Sequence, residues 1–437
     1  MHFRKAFIAT ALAVAPVWAA GKSVNVYWGQ NGIDTLESAC NTDGFEYITL
    51  GFINSSPENG NGTGYPGSNF GAHCWADVYS NNGKTSHLYS ECKSIQTGIS
   101  KCQANGKKVL LSIGGVYNAT TSNYAVSNAA KGVEFADFMW NAFGPYNASW
   151  TGPRPFDDTD SGTINVVDGY DFDIEYAFAD ETGYVAMINR LRSKITAAKR
   201  SDIITGAPQC PLNDPYVDMK YMLQNAQFDL LFIQFYNNPS CNAGNTDFTL
   251  NSGFNYAAWE DFLKTTPNNA TKLFIGLPGS SSAAGSGYIT LSAAKTLLCQ
   301  YKDYPQFGGA MIWDQYYGEL NTGLDLKTYY ESIHDILNGG CGGSSTTTTR
   351  ATTTSSSSSV CTTVTTPAAV QSGIATNCVK FYKVQTGDYC QAIADEFKIS
   401  LANFYAWNPA VGSTCGNLWA DEYYCLNFIT CHHNFGF

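Results

Sequence analysis

The sequence is poor in charge. Only 14% of its 437 residues are Asp, Glu, Lys or Arg, and 25 cations face 36 acids, for a formal net charge of −11. So few cations make a poor match to a nucleic-acid backbone, and no nucleic-acid partner is expected. Beyond the first twenty residues there is no apolar run long enough to span a bilayer, so no membrane partner is expected. The 14 cysteines include no Cys-x-x-Cys pair, and the six histidines are scattered except for His432-His433. We therefore assign no metal site and no cofactor. Aromatic residues, by contrast, abound: 27 Tyr, 25 Phe and 9 Trp need burial or a ligand face, which excludes disorder throughout.

Residues 1–20 read as a secretory leader. Arg4 and Lys5 form its charged start, Ala6 to Val17 its apolar centre, and Val17-Trp18-Ala19-Ala20 its small-residue cleavage site. Its apolar part is too short for a membrane anchor. Removal would take the net charge from −11 to −13, since the leader carries two cations and no acid. The expected localisation is secreted, extracellular or cell-wall associated, and the cysteines are then expected in disulfides. Glycosylation sequons at Asn54, Asn61, Asn118, Asn147 and Asn269 agree with export.

The clearest boundary is compositional. From Ser344 to Ser359 every residue except Arg350 and Ala351 is Ser or Thr, which cannot bury enough apolar surface to fold. A linker is drawn over residues 341–376. Fully extended, it reaches on the order of 100 Å. It separates a large domain, residues 21–340, from a cysteine-rich module, residues 377–427, with a tail at 428–437.

The large domain contains eight short apolar runs: Val24–Trp28, Tyr47–Ile53, Lys108–Ile113, Val166–Ile174, Ile203–Pro208, Phe228–Phe235, Lys272–Leu277 and Gly308–Trp313. Helical patterns lie between several of them. Asp180 can cap a helix whose stripe is Met187, Ile188, Leu191 and Ile195, and Leu291 to Tyr301 reads the same way. Eight strands alternating with helices predict an α/β fold, the (β/α)8 TIM barrel. The competing doubly wound sheet would usually show a Gly-rich phosphate turn after its first strand, and Trp28-Gly29-Gln30-Asn31-Gly32 is not one.

The fourth run carries the chemistry. In Asp168-Gly169-Tyr170-Asp171-Phe172-Asp173-Ile174-Glu175, three acids alternate: Asp171, Asp173 and Glu175. On a strand these share a face, while Phe172 and Ile174 fill the other. In a barrel the acids must point inward, where mutual repulsion and lost solvation raise their proton affinity. A carboxyl that keeps its proton near neutral pH can act as a general acid. Strict alternation sends Asp168 to the opposite face. Gln234 and Tyr236, two apart near the end of strand six, both face inward, and Tyr27 and Trp313 lie at strand ends on the same rim. A single aromatic residue usually just packs in the core; Tyr27, Tyr236 and Trp313 together with Gln234, four residues at strand ends on one rim, favour a sugar platform.

Asp168-x-x-Asp171-x-Asp173-x-Glu175 resembles the signature of glycoside hydrolase family 18, the retaining chitinases. Val26-Tyr27-Trp28-Gly29-Gln30-Asn31, Leu111-Ser112-Ile113-Gly114-Gly115, Ala207-Pro208-Gln209-Cys210 and Gln234-Phe235-Tyr236-Asn237-Asn238 resemble its hevamine-like class III members, over about Val24 to Leu337. The resemblance implies a substrate-assisted mechanism. Glu175 is the acid and then the base, Asp173 holds the acetamido N–H, Asp171 shares a proton with Asp173, and Tyr236 contacts the acetamido oxygen. Tyr27, Gln30, Phe52, Gln234, Asn237 and Trp313 are the implied substrate-binding residues, with Gln30 and Asn237 equally readable as satisfying turn backbone. It also implies disulfides Cys40–Cys102, Cys74–Cys92 and Cys210–Cys241, leaving Cys299 and Cys341 paired or free, and cis peptides at Gly51–Phe52 and Trp313–Asp314. Only Pro278 to Phe307 separate strands seven and eight, too few for the extra small domain of bacterial-type members, so an open groove and internal cleavage are expected.

Residues 377–427 read as strand, two helices, strand. Val379–Val384 is the first strand, Asp388 can cap the following helix, Ile393, Ala394 and Phe397 and then Leu401, Phe404 and Tyr405 give helical stripes, and Asn408-Pro409 stops them. Tyr382-x-Val384-x-x-Gly387-Asp388, Ile393-Ala394 and Trp407-Asn408-Pro409 resemble a LysM module, which implies binding of N-acetylglucosamine oligomers by Gly387, Asp388 and Tyr389 and by Asn408, Pro409 and Ala410. Six cysteines, Cys361, Cys378, Cys390, Cys415, Cys425 and Cys431, can staple so small a core in fifteen ways, and the sequence does not choose.

The expected function is a secreted, monomeric endo-chitinase acting on chitin and N-acetylglucosamine oligosaccharides and tethered by the module. The alternative is a non-catalytic chitin lectin on the same barrel. Lectin-like relatives typically lose the acid that stands here as Glu175.

Overall fold

The computed structural model describes residues 22–75, 77–213, 217–244, 253–323, 325–341, 367, 370–371, 374, 378–397, 399, 401–412 and 415–428. The expected leader, most of the expected linker and nearly all of the expected tail lie outside them, as do Cys361 and Cys431.

Eight parallel strands close a barrel: β1 (Ser23–Trp28), β2 (Tyr47–Ile53), β3 (Lys108–Gly115), β4 (Gly169–Ile174), β5 (Ile203–Gly206), β6 (Leu230–Gln234), β7 (Lys272–Pro278) and β8 (Phe307–Trp313). Hydrogen-bonded neighbours follow the order β1-β8-β7-β6-β5-β4-β3-β2, so no strand is left as an edge. All eight expected runs are strands. The connection from β2 to β3 also holds a two-stranded hairpin, Val78–Asn81 with Lys84–Tyr89, which none of the eight apolar runs marks.

Alternation sorts each strand. Val24, Val26 and Trp28 face the helices, as do Tyr170, Phe172 and Ile174 of β4. Tyr27, Phe52, Phe232, Tyr236, Phe274 and Met311 fill the barrel interior. Asp171 and Asp173 are buried on that inner side, with 0% and 3% exposure. The inward acids expected from period-two spacing are therefore present.

The helix after β4 spans Thr182–Ala197 and buries Met187, Ile188, Leu191 and Ile195 as its stripe. Its boundary differs by one residue. Glu181 holds the N-cap position without a side-chain cap bond, and Asp180 instead accepts from the Thr182 N–H at 2.8 Å. This helix packs tightly on Ala129–Phe143, because Gly132 lies against the Gly183 carbonyl, where a Cβ would come to 1.8 Å. Between β7 and β8 stands one helix, Leu291–Tyr301, capped by Thr290.

The barrel's four disulfides are Cys40–Cys102, Cys74–Cys92, Cys210–Cys241 and Cys299–Cys341. The first three match the implied pairs, and the fourth settles the two cysteines left open. The Gly51–Phe52 and Trp313–Asp314 peptides are both cis.

The C-terminal module pairs β9 (Cys378–Lys383) antiparallel with β10 (Tyr423–Phe428). Helices Cys390–Glu396 and Leu401–Trp407 pack Ile393, Ala394 and Phe404 beneath them. Cys378–Cys425 and Cys390–Cys415 staple it. Asp388 does not cap the first helix. Its carboxylate closes the preceding turn, accepting from the Tyr382 hydroxyl at 2.9 Å and the Gln385 N–H at 2.8 Å.

Candidate active site

The registers of β3 and β5 bring Ser112 and Thr205 level with Asp171 on either side of β4. Both hydroxyls donate to its carboxylate at 2.6 Å, and Tyr27 donates at 2.7 Å. Burial still pushes Asp171 above the usual carboxylate range, against the pull of these three bonds.

Two residues further on, Asp173 is raised well above that range, first by burial and then by the charges of Glu175 and Asp171. Gln234 Nε2 donates to Asp173 at 2.8 Å, to Glu175 at 3.2 Å and to the Ala207 carbonyl at 3.0 Å. Among the described residues no hydrogen bond joins Asp171 to Asp173. The carboxyls that share a donor are Asp173 and Glu175. The backbone follows this geometry closely: Gly114 has φ +127°, and a Cβ there would reach 1.9 Å from the Asp173 carbonyl oxygen.

Glu175 lies just past the end of β4, part-buried in the wall of a cleft of about 640 Å³. Burial is the main cause that lifts its carboxyl to about 7. Gln30, Phe52 and Trp313 line the same cleft. Trp313 stacks on Phe52 with ring centroids 6.1 Å apart and meets Tyr27 at 5.7 Å. Tyr236 is 4% exposed in the inner cluster, and burial followed by the charge of Asp173 keeps its hydroxyl protonated.

Some implied residues have structural employment. Gln30 spends its amide on the Gly51 and Asn69 carbonyls at 2.8 and 2.9 Å. Asn237, at φ 58°, accepts from the Gly285 N–H at 2.8 Å, fixing the loop beyond β7. Asp168, on the opposite face as expected, anchors Lys108, Gln103 and the Val109 N–H far from the cleft acids along the strand.

The sequence reading missed several residues around the acids. Tyr124 donates to the Gly115 carbonyl at 2.7 Å and accepts the Glu175 N–H at 3.2 Å, holding the acid's backbone. Asp314, lifted by burial to about 6, accepts from Asn31 at 2.7 Å. Ser112 and Thr205 were findable as inward polar positions in otherwise apolar strands. Tyr124 lies in a loop, where no periodicity marks it.

In the module, Cys390 directly follows Gly387-Asp388-Tyr389, and its disulfide partner Cys415 follows the turn at Pro409–Val411. The bridge therefore draws the two implied loops together. Tyr389 is 61% exposed and Pro409 is exposed. Asn408 departs from expectation. It is 4% exposed, donates to the Phe404 and Cys425 carbonyls and accepts the Cys425 N–H, so its side chain ties helix to strand and faces no solvent. One of its amide hydrogen bonds goes to the Phe404 carbonyl in the helix, and the other two go to the backbone of Cys425 in β10.

The C-terminal module matches the LysM domain over residues 382–421. Endochitinase A of Emericella nidulans is 40% identical over 327 residues, covering 73% of this chain and 32% of the relative. Endochitinase A of Aspergillus niger is 40% identical over 351 residues, covering 77% and 27%. The chain thus spans about a third of the length of these curated relatives. Among solved structures, ICChI chitinase from Ipomoea carnea superposes with a TM-score of 0.56 at 28% identity, covering 72% of this chain and 99% of that one. A xylanase and alpha-amylase inhibitor protein from Scadoxus multiflorus superposes with a TM-score of 0.55 at 26% identity, covering 73% and 98%. A shared barrel therefore does not by itself choose a function. The ladder of inward acids on β4 and the match of residues 23–290 agree: the chain belongs to the glycosyl hydrolases of family 18.

Proposed function

We propose that the protein hydrolyses internal β-1,4 bonds between N-acetylglucosamine units, with retention of configuration and with the substrate's own acetamido group as nucleophile. The observation that carries this reading is the placement of Glu175 in the cleft wall, its carboxyl lifted to about 7 by burial and linked through Gln234 to the buried Asp173. Glu175 gives its proton to the glycosidic oxygen as the C–O bond breaks. The acetamido oxygen attacks the anomeric carbon, forming a cyclic oxazolinium ion. Asp173 accepts the acetamido N–H and balances the positive charge. Tyr236 donates its hydroxyl to the acetamido oxygen, and Trp313 with Phe52 forms the apolar floor. Glu175 then takes a proton from water as it opens the ion. Asp171, held by three hydroxyls, fixes the strand beneath Asp173. The module binds N-acetylglucosamine oligomers through Gly387, Asp388, Tyr389, Pro409 and Ala410 and keeps a secreted, monomeric enzyme at insoluble chitin.

The test is release of a fluorophore from a chitotrioside by the full chain, with the anomer of the first product read by proton NMR. Absence of turnover in the native chain sinks the enzymatic reading. An inverted first product sinks the substrate-assisted mechanism.

A further inference from the structure

Asn31, just past β1, and Asp314, just past β8, have no part in the reaction as described. β1 and β8 are hydrogen-bonded neighbours, so their ends deliver both residues to the same side of the barrel rim. Asn31, Trp313 and Tyr317 line the cleft that also holds Glu175. Asp314 is 1% exposed, and buried carboxylates are normally paired.

Here the partners are explicit. The Asp314 carboxylate accepts from Asn31 Nδ2 at 2.7 Å and from the Tyr317 N–H at 3.2 Å, closing the first turn of the helix Gln315–Leu320. The loop after β1 is fixed against the same helix. Gly32, at φ 75°, lies so close to Tyr316 that a Cβ there would come to 2.6 Å from its ring, and the Asn31 carbonyl meets His73 Nε2 at 3.3 Å. An amide facing a carboxylate has a fixed direction. An ionised carboxylate only accepts, so it takes the NH2 end of Asn31 and turns the amide oxygen away. Burial lifts Asp314 to about 6, so it is mostly ionised at neutral pH. Among the described residues Asn31 Oδ1 has no hydrogen-bond partner, and it is not sealed in the core, so it is left as an open acceptor on a residue of the cleft wall.

We infer that Asn31 is a further substrate-binding residue, whose Oδ1 accepts from a hydroxyl of an N-acetylglucosamine unit beside Trp313, and that Asp314 is the positioning residue that keeps this oxygen turned to the cleft. This rests on the proposed reading of the cleft as a chitin site. A sugar ring offers an apolar face and a rim of donors and acceptors. Trp313 and Phe52 serve the face, and a preset amide oxygen serves one donor of the rim. Because Asp314 holds the amide before substrate arrives, no rotamer has to be frozen on binding. The contact is made to a part of the sugar that does not react, so it contributes alike to the bound substrate and to the transition state.

The experiment compares the full-length native chain with Asn31→Ala, Asp314→Asn and the double variant on a soluble chitotrioside at neutral pH. In Asn31→Ala, KM rises about fivefold, the size of one neutral hydrogen bond, while kcat falls less than about twofold. Asp314→Asn raises KM by a smaller factor, because a neutral amide can donate as well as accept and no longer dictates which end of Asn31 faces the cleft. The double variant matches Asn31→Ala, since the oxygen that Asp314 positions is already gone. If Asn31→Ala does not fold because it strands the Asp314 carboxylate, the double variant, which removes that charge, supplies the KM. A second readout needs no turnover and ignores the module: the indole N–H signal of Trp313, assigned by its loss in Trp313→Phe, is titrated with chitotriose, and the Kd rises by the same factors. An unchanged KM and Kd in Asn31→Ala, a loss confined to kcat, or additive losses in the double variant overturn the inference. If the native chain lacks turnover, the hydrolytic reading fails instead, and the chitotriose titration still decides whether Asn31 holds sugar. A native Trp313 signal that chitotriose leaves unmoved overturns both.

Discussion

The barrel and the module solve the problem of staying folded in different ways. The barrel buries one continuous core from Val24 to Ile336 between strands and helices, and a second inside the strands. Among the described residues the module's core has twelve buried apolar residues, and Cys378, Cys390 and Cys425 are among them. A small core supplies only a few kcal/mol, so cross-links must carry much of the module's stability. The barrel's size also lets it do something the module does not. It holds several carboxyls in poor solvation, with Glu175 and Glu181 lifted to about 7 and Asp218 and Asp314 to about 6. The module's Asp421 is exposed, and its bond to Lys383 pulls it below the usual range. The proposed chemistry belongs to the part that can hold its groups in an unfavourable state.

The sharpest way to separate the two regions is Glu175→Gln. The amide is nearly isosteric and cannot donate the proton, so turnover should fall at least ~10²-fold. Binding of the intact chain to insoluble chitin should stay the same. Near-native turnover in the purified variant would refute the role of Glu175.

Next in size is removal of one staple. The Cys390–Cys415 bridge closes a loop with sequence separation 25. Loop entropy puts its contribution at about 3 kcal/mol, comparable to the module's whole core. The Cys390→Ser, Cys415→Ser double variant should lose hydrogen-exchange protection in β9 and β10 and lose retention on chitin. Hydrolysis of a soluble chitotrioside should be unaffected. Retained protection would mean that the twelve-residue core suffices.

Deleting residues 342–437 should lower degradation of crystalline chitin several-fold, because a tether raises local concentration without new contacts. Soluble turnover should stay near native. Equal loss on both substrates would make the module a structural support of the barrel.

The smallest effect is thermal. Carboxyls with raised values bind more protons in the folded than in the unfolded chain between about pH 4 and 7. The stability they contribute is full below about pH 4 and is lost as the pH climbs through 6 and 7. The barrel should therefore melt a few degrees higher at pH 5 than at pH 8, as read by calorimetry. Asp421 works in the opposite sense and only in stronger acid, so the module's transition should not move over that range. A barrel transition that rises with pH would contradict the buried acids.

Much of this was legible from residue order. Period-two alternation gave the inward faces of Asp171 and Asp173, and eight apolar runs gave the barrel, because burial on both strand faces leaves a strong pattern. Tyr124 was invisible for a physical reason. It lies in a loop and reaches Glu175 through tertiary packing, which no local spacing records. The burial of the Asn408 side chain was not legible, because a short motif reports which residue stands at a turn and not whether its side chain faces solvent or ties a helix to a strand. Asp388 and Asp180 each bond the turn before a helix. At these positions turn bonds and caps draw on the same residue types.

The Cys299–Cys341 bridge has a mechanical meaning. Cys341 is the last described residue of the barrel, and its partner lies inside the helix Leu291–Tyr301. Tension on the chain beyond it enters the barrel at a covalent junction and is shared by two segments 42 residues apart in sequence. Without that junction, the same pull would act first on Ile336–Gly340 and the helix Tyr329–Asp335, peeling them turn by turn from the strands they cover. With it, a pull must shear a helix with one buried face off the barrel as a whole, a far stiffer loading geometry than unzipping from an end.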